Sequence, residues 1–132
     1  METYTEMKKR QQKKIDNFEG MFFAFSNKQF EEGMIKVGLD KKDTTKVCRF
    51  MSSGYLKKDK LNEFKNLMKQ HKTEKENNLK NIDFLTDALN YELNNHEFCI
   101  TGDMTDALNV LGIEEKDIPS NVMTEVCKPF YN

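Results

Sequence analysis

The sequence predicts a single α+β domain with a small sheet of three or four strands and about five helices. Three observations lead there. The chain has 132 residues, enough for one core but not two independent ones. Short aromatic runs bounded by Gly, Ser and Asn alternate with segments whose apolar residues recur at helical spacing. Although 33% of residues are charged, 10 Phe and 4 Tyr supply large core side chains, which excludes a disordered composition.

Residues 1–19 begin with a polar helix, from about Thr5 to Phe18. Its thin stripe of Met7, Ile15 and Phe18, with Tyr4 ahead, packs by its ends only. Met21–Phe25 is a short apolar run after Gly20, read as a buried strand. Ser26 or Asn27 caps the next helix, which carries Phe30, Met34, Ile35 and Val37 and stops at Gly38. Lys46–Met51 and Gly54–Lys57 read as a hairpin around Ser52-Ser53-Gly54, although Asp43-Thr44-Thr45 equally suits a helix start.

A long helix opens at Asp59 with Leu61, Phe64, Leu67, Met68 and His71. Residues 69–80 are then either a solvated helix end or a loop. A second long helix, about Asn81 to Asn95, presents Ile82, Leu85, Ala88, Leu89 and Leu93 on one face. Phe98 and Ile100 alternate, so Phe98–Thr101 reads as a further strand with Cys99 inside it. Met104, Ala107, Leu108 and Leu111 make a helix closed by Gly112, and Ser120 or Asn121 caps a last one. The expected core is Phe23, Phe25, Phe30, Met34, Val37, Leu39, Phe64, Leu67, Leu85, Leu89, Phe98, Ile100, Leu108, Leu111 and Ile113.

Two stretches echo one another. Phe23–Asn27 with its helix and Val37-Gly38-Leu39 matches Phe98–Gly102 with its helix and Leu111-Gly112-Ile113. Either common start and stop signals converge by chance, or two β–α units are duplicates.

Net charge is −1, yet residues 1–80 hold 19 basic and 12 acidic residues while residues 81–132 hold 2 and 10. The halves either neutralise one another or offer a basic face to an acidic partner. Three widely spaced cysteines, Cys48, Cys99 and Cys127, do not make a disulfide framework, and a reducing cytoplasm is expected. No apolar run approaches the ~18 residues of a membrane span, and the charged N-terminus has no apolar signal region.

Phosphate-loop, dinucleotide and nucleophile-elbow motifs are absent, which argues against an enzyme, and no cofactor is expected. Glu92, His96, Glu97 and Cys99 form the densest group of ligand-type residues. Their spacing answers neither a C-x2-C nor an H-E-x-x-H zinc pattern. Lys9, Lys13 and Lys14, within the basic stretch Lys8–Lys14, are candidates for tracking phosphates. Asn95, His96 and Glu97 are candidates for a binding point, or else a helix end at which His96 bonds backbone carbonyls.

Two strings carry a family resemblance: Phe22-Phe23-Ala24-Phe25-Ser26-Asn27-Lys28-Gln29-Phe30-Glu31-Glu32-Gly33, and Asn90-Tyr91-Glu92-Leu93-Asn94-Asn95-His96-Glu97-Phe98-Cys99-Ile100-Thr101-Gly102-Asp103. Through them the chain resembles a family of small uncharacterised proteins of low-GC Gram-positive bacteria, their prophages and phages. The resemblance implies a cytoplasmic accessory protein of a mobile element, with no catalytic residue to carry over. The leading expectation is a non-enzymatic protein that binds a host protein, such as a defence nuclease to be inhibited. The alternative is nucleic-acid binding through the basic N-terminal helix.

Overall fold

The computed structural model describes residues 2–50 and 52–130, the last without its side chain. The fold is α+β, with seven α-helices and a three-stranded antiparallel sheet among the described residues. In chain order the elements are α1 (Tyr4–Asp16), β1 (Met21–Phe23), α2 (Asn27–Lys36), β2 (Val47–Phe50), β3 (Gly54–Lys57), α3 (Leu61–Asn78), α4 (Ile82–Asn95), α5 (Phe98–Thr101), α6 (Thr105–Leu111) and α7 (Ser120–Cys127). They fall into two compact units, and the division lies within α1 and within α3. The terminal unit is Met1–Gln12 with Lys72–Asn132, and the central unit is Lys13–His71.

The central unit holds the sheet, in the order β1-β3-β2. Met21 faces Leu56 across β1 and β3, and Cys48 faces Leu56 across β2 and β3. Residue 51 lies outside the described residues, so the hairpin is seen from Phe50 to Gly54 without it. The core is Phe22, Ala24, Met34 and Val47, with Phe30 and Tyr55 against it. α2 begins as predicted: Ser26 has extended backbone and its hydroxyl accepts from the Gln29 N–H at 3.2 Å. It ends as predicted too. Gly38 has φ +83°, its N–H donates to Ile35 O, and the Leu39 N–H donates to Met34 O. This pairing satisfies carbonyls that a helix end leaves open.

The terminal unit packs around α4, whose Phe84, Leu85, Ala88, Leu89 and Leu93 meet Tyr4, Met7, Leu108, Leu111, Val122 and Val126. Asn81 caps α4 by accepting from the Phe84 N–H at 3.1 Å. Gly112 stops α6 with the same bond pattern as Gly38: Gly112 N–H to Asn109 O and Ile113 N–H to Leu108 O. Residues 69–78 are helix, the end of α3.

Three expectations are corrected. Phe98–Thr101 is not a fourth strand but one helical turn, held between left-handed backbone at Glu97 and at Gly102. The echo therefore extends to the glycine-terminated helices and not to the strand. Second, Phe23, Phe25 and Ile100 are exposed, the last two at 80% and 78%. A period of two put Ile100 beside Phe98, whereas in a single helical turn only Phe98 points inward. Third, Pro119 rather than Ser120 or Asn121 takes the cap position of α7.

Candidate functional site

Two features stand out, one in each unit. In the terminal unit, the carboxylate of Glu92 lies inside the core at 1% exposure. The position follows from spacing. Leu85, Ala88, Leu89 and Leu93 form the buried stripe of α4, and Glu92 is seven residues after Leu85. A buried charge persists only when paired and hydrogen-bonded. The Tyr4 hydroxyl donates to Oε1 at 2.6 Å, and Lys8 Nζ donates to the same oxygen at 3.2 Å. His96 Nε2 stands 3.2 Å from Oε2, at ion-pair distance but without hydrogen-bond alignment.

Lys8 rests 4.9 Å from the Tyr91 ring centroid and 5.4 Å from that of Tyr4, so two aromatic faces add to its attraction. The Tyr4 N–H donates to Asp87 Oδ2 at 2.8 Å, which ties the start of α1 to α4. Burial, and then the hydrogen bond to Glu92, push the Tyr4 hydroxyl well above the ordinary tyrosine pKa. Burial holds Lys75, which donates to Val110 O at 2.9 Å, below the usual lysine value. This cluster holds helices together. Oε1 of Glu92 takes both donors, and Oε2 lies against the His96 ring, so the carboxylate is enclosed by its own neighbours.

In the central unit, a groove of 590 Å³ opens beside Phe25. Its walls are Phe25, Phe30 and Tyr55, with Ser26, Asn27, Ser52, Ser53 and Arg49 as polar groups. Arg49 Nη2 donates to the Ser52 carbonyl at 2.7 Å, which anchors the guanidinium at the rim. The groove is lined by no Asp or Glu. The central unit carries 13 basic and 8 acidic residues, the terminal unit 8 and 14. The charge asymmetry seen along the chain therefore belongs to the two units.

The residues proposed from sequence fare differently. Of the basic helix, Lys8 is taken up by Glu92, and Arg10 by Glu2 at 2.9 Å and Glu74 at 2.6 Å. Lys9, Lys13 and Lys14 are exposed. Of the Asn95, His96 and Glu97 set, only the His96 ring joins Glu92. The His96 N–H donates to Glu92 O at 3.0 Å, closing α4, while Asn95 and Glu97 face solvent. Glu97 has φ 57°, the one positive φ among the described non-glycine residues, and turns the chain from α4 into α5. No cluster of three metal-ligand side chains occurs among the described residues.

Over residues 3–128 the sequence matches a family of unknown function, DUF7659. The chain belongs to this family. Comparison with curated proteins and with solved structures found no match. DUF7659 membership brings no catalytic residue and no partner with it. No helix among the described residues is long and apolar enough to cross a membrane.

Sequence reasoning grouped Glu92 with His96 but missed its burial, although a carboxylate at a stripe position of an amphipathic helix is a visible signal. It also placed Cys99 in a buried strand, whereas Cys99 is exposed and Cys127 is buried with its thiol pKa pushed up by burial. A thiol reagent added to the native protein is expected to modify Cys99 quickly and Cys127 only on unfolding, as read by mass spectrometry of the labelled peptides.

Proposed function

We propose that the protein is a non-enzymatic binding protein and that its central unit holds a nucleic acid. The observation that carries this reading is the Phe25 groove: an exposed ring beside Arg49, free of carboxylates, on the unit with a surplus of positive charge. Phosphates supply the complementary charge and bases supply a face for the ring. Lys13 and Lys14 add exposed cations to the same unit, and Lys9 of the terminal unit is exposed as well.

Titration of a labelled oligonucleotide at several salt concentrations tests the reading. Affinity should fall steeply with salt. Replacing Lys9, Lys13 and Lys14 together by Glu should lower affinity at least about tenfold and flatten the salt dependence, since each lost phosphate contact removes roughly 0.7–0.9 from the logarithmic slope. Salt-independent binding, or none, would remove the proposal.

A second reading keeps the protein as an accessory of a phage or mobile element that binds a host protein in the bacterial cytoplasm, such as a defence nuclease. The resemblance to phage proteins favours it, as does the exposure of Ile100 beside Cys99 on α5. A pull-down with and without nuclease separates the two. A stoichiometric host protein that survives nuclease supports the second reading, and recovery lost on nuclease treatment supports the first.

A further inference from the structure

We infer that the Phe25 groove receives an unpaired base of a single-stranded nucleic acid, stacked on the Phe25 ring with Arg49 on an adjoining phosphate. The inference deepens the nucleic-acid reading above and rests on it. Phe25 is 80% exposed, the most exposed large apolar side chain among the described residues. A phenyl ring left in water gains when another flat apolar face covers it.

The ring is not on a loose end. The Phe25 N–H donates to Gln29 Oε1 at 2.8 Å, the Ala24 N–H donates to Ser53 O at 2.9 Å, and Ser26 caps α2. Behind it, Phe30 and Tyr55 stand edge to face at 4.9 Å and stiffen the wall. The ring is thus presented from a pinned backbone, which spares a ligand much of the cost of ordering it.

The rest of the groove suits a nucleotide. Its 590 Å³ lies within the range of about 300–1,000 Å³ usual for small-ligand sites. Ser26, Asn27 and Ser53 offer hydroxyl and amide groups that both donate and accept, which matches the edges of any base. Arg49 offers the planar cation that phosphate oxygens favour. The lining contrasts with a hollow in the terminal unit that contains Asp83, Asp87 and Glu125 and no basic group. An acidic peptide would satisfy Arg49 but brings no flat face for Phe25. A duplex keeps its base faces stacked inside, so a single strand is the form that reaches the ring.

The chain has no tryptophan, so Phe25→Trp places one fluorescent reporter at the site. Titration of this variant with a thymidine oligonucleotide is expected to quench its emission to saturation. A duplex of equal length should bind more weakly and quench less. Phe25→Ala, at an exposed position that leaves the core intact, should weaken single-strand binding about tenfold or more while duplex binding is unchanged. Arg49→Gln should weaken it too and reduce the salt slope by about 0.7.

Binding that responds to Lys13 and Lys14, but neither quenches the Phe25→Trp variant nor responds to Phe25→Ala, would overturn this inference and leave nucleic-acid binding standing. Quenching reproduced by a poly-glutamate peptide would overturn it in favour of an acidic protein partner. No binding by any oligonucleotide would overturn both.

Discussion

Replacing Gly33 destabilises the central unit, against the direction that helix propensity alone would give. Gly33 sits within α2 and is buried. A Cβ there would lie 2.6 Å from Cγ and from Cε2 of the Phe22 ring, well inside contact distance. Neighbouring rings limit its retreat. It is 5% exposed, stacked on Tyr55 at 5.3 Å and packed against Phe30 at 5.8 Å. In a solvent-facing helix, Gly→Ala gains about 1 kcal/mol. Here overpacking costs about 1–3 kcal/mol, and a branched side chain costs more. Gly33→Ala is therefore expected to lower stability by up to ~2 kcal/mol net, and Gly33→Val to unfold the unit around the sheet.

Urea unfolding followed by far-ultraviolet circular dichroism measures both variants. The decisive control is the double variant Gly33→Ala with Phe22→Leu, whose cost should be well below the sum of the single ones because the smaller side chain yields the space. A stabilising Gly33→Ala would show that α2 does not approach β1 this closely.

Tyr4→Ala is expected to be the most damaging single change in the terminal unit, at about 3–5 kcal/mol. It removes a ring that meets Phe84 edge to face at 5.8 Å and a hydroxyl that donates to a buried carboxylate. Tyr4→Phe isolates the second part. A hydrogen bond to a charged group contributes about 1.5–3 kcal/mol, and Glu92 stays buried with one donor fewer. At roughly 3–5 °C per kcal/mol for a chain of this length, Tyr4→Phe should lower Tm by about 5–10 °C. Glu92→Leu should also destabilise, because the Tyr4 hydroxyl then lacks its acceptor. Adding Tyr4→Phe to it should cost little more, since both polar partners are then gone.

The same pair sets a pH dependence. The folded-state pKa of Tyr4 lies above the unfolded value of about 10. Its contribution is therefore complete below pH ~10 and is lost as pH rises beyond it, because the unfolded chain ionises first. Lys75 has the opposite sign: its folded pKa is lowered, so its burial becomes less costly as pH rises. Lys75 is common to the native protein and to Tyr4→Phe, and the difference between their stability curves above pH 10 isolates Tyr4. That gap should narrow as pH increases, and a gap that stays constant would place the Tyr4 hydroxyl outside this network.

Much of the fold was legible because its signals are local. Ser26 and Asn81 announce helix starts through side chains that reach N–H groups three residues on. Gly38 and Gly112 announce stops because a left-handed residue is needed there. The hairpin between Phe50 and Gly54 is a matter of a few residues. Phe98–Thr101 misled because four residues satisfy either period, and the choice fell to Glu97, which takes a left-handed conformation that no sequence rule assigns to glutamate.

The candidate sites were less legible. His96 was singled out, but Tyr4 and Lys8, which share Glu92 with it, lie more than 80 residues away and meet that carboxylate only when the start of α1 lies against α4. The basic stretch Lys8–Lys14 was visible as charge. Which cations are consumed by carboxylates and which remain exposed depends on the faces that α1 turns toward Glu92 and Glu74. Phe25 and Ile100 were assigned to the core because they are apolar. Hydrophobicity sets what a side chain gains by burial, not whether the fold has space for it.

The class, most helix boundaries and the separation of charge were readable from the residues alone, because capping, periodicity and composition act over a few residues or over none. That Glu92 is enclosed by Tyr4, Lys8 and His96, and that Phe25 stands in solvent beside Arg49, came from packing. Packing selects among distant side chains by shape and by the cost of leaving a charge without a partner, and neither quantity exists until the elements of each unit have met.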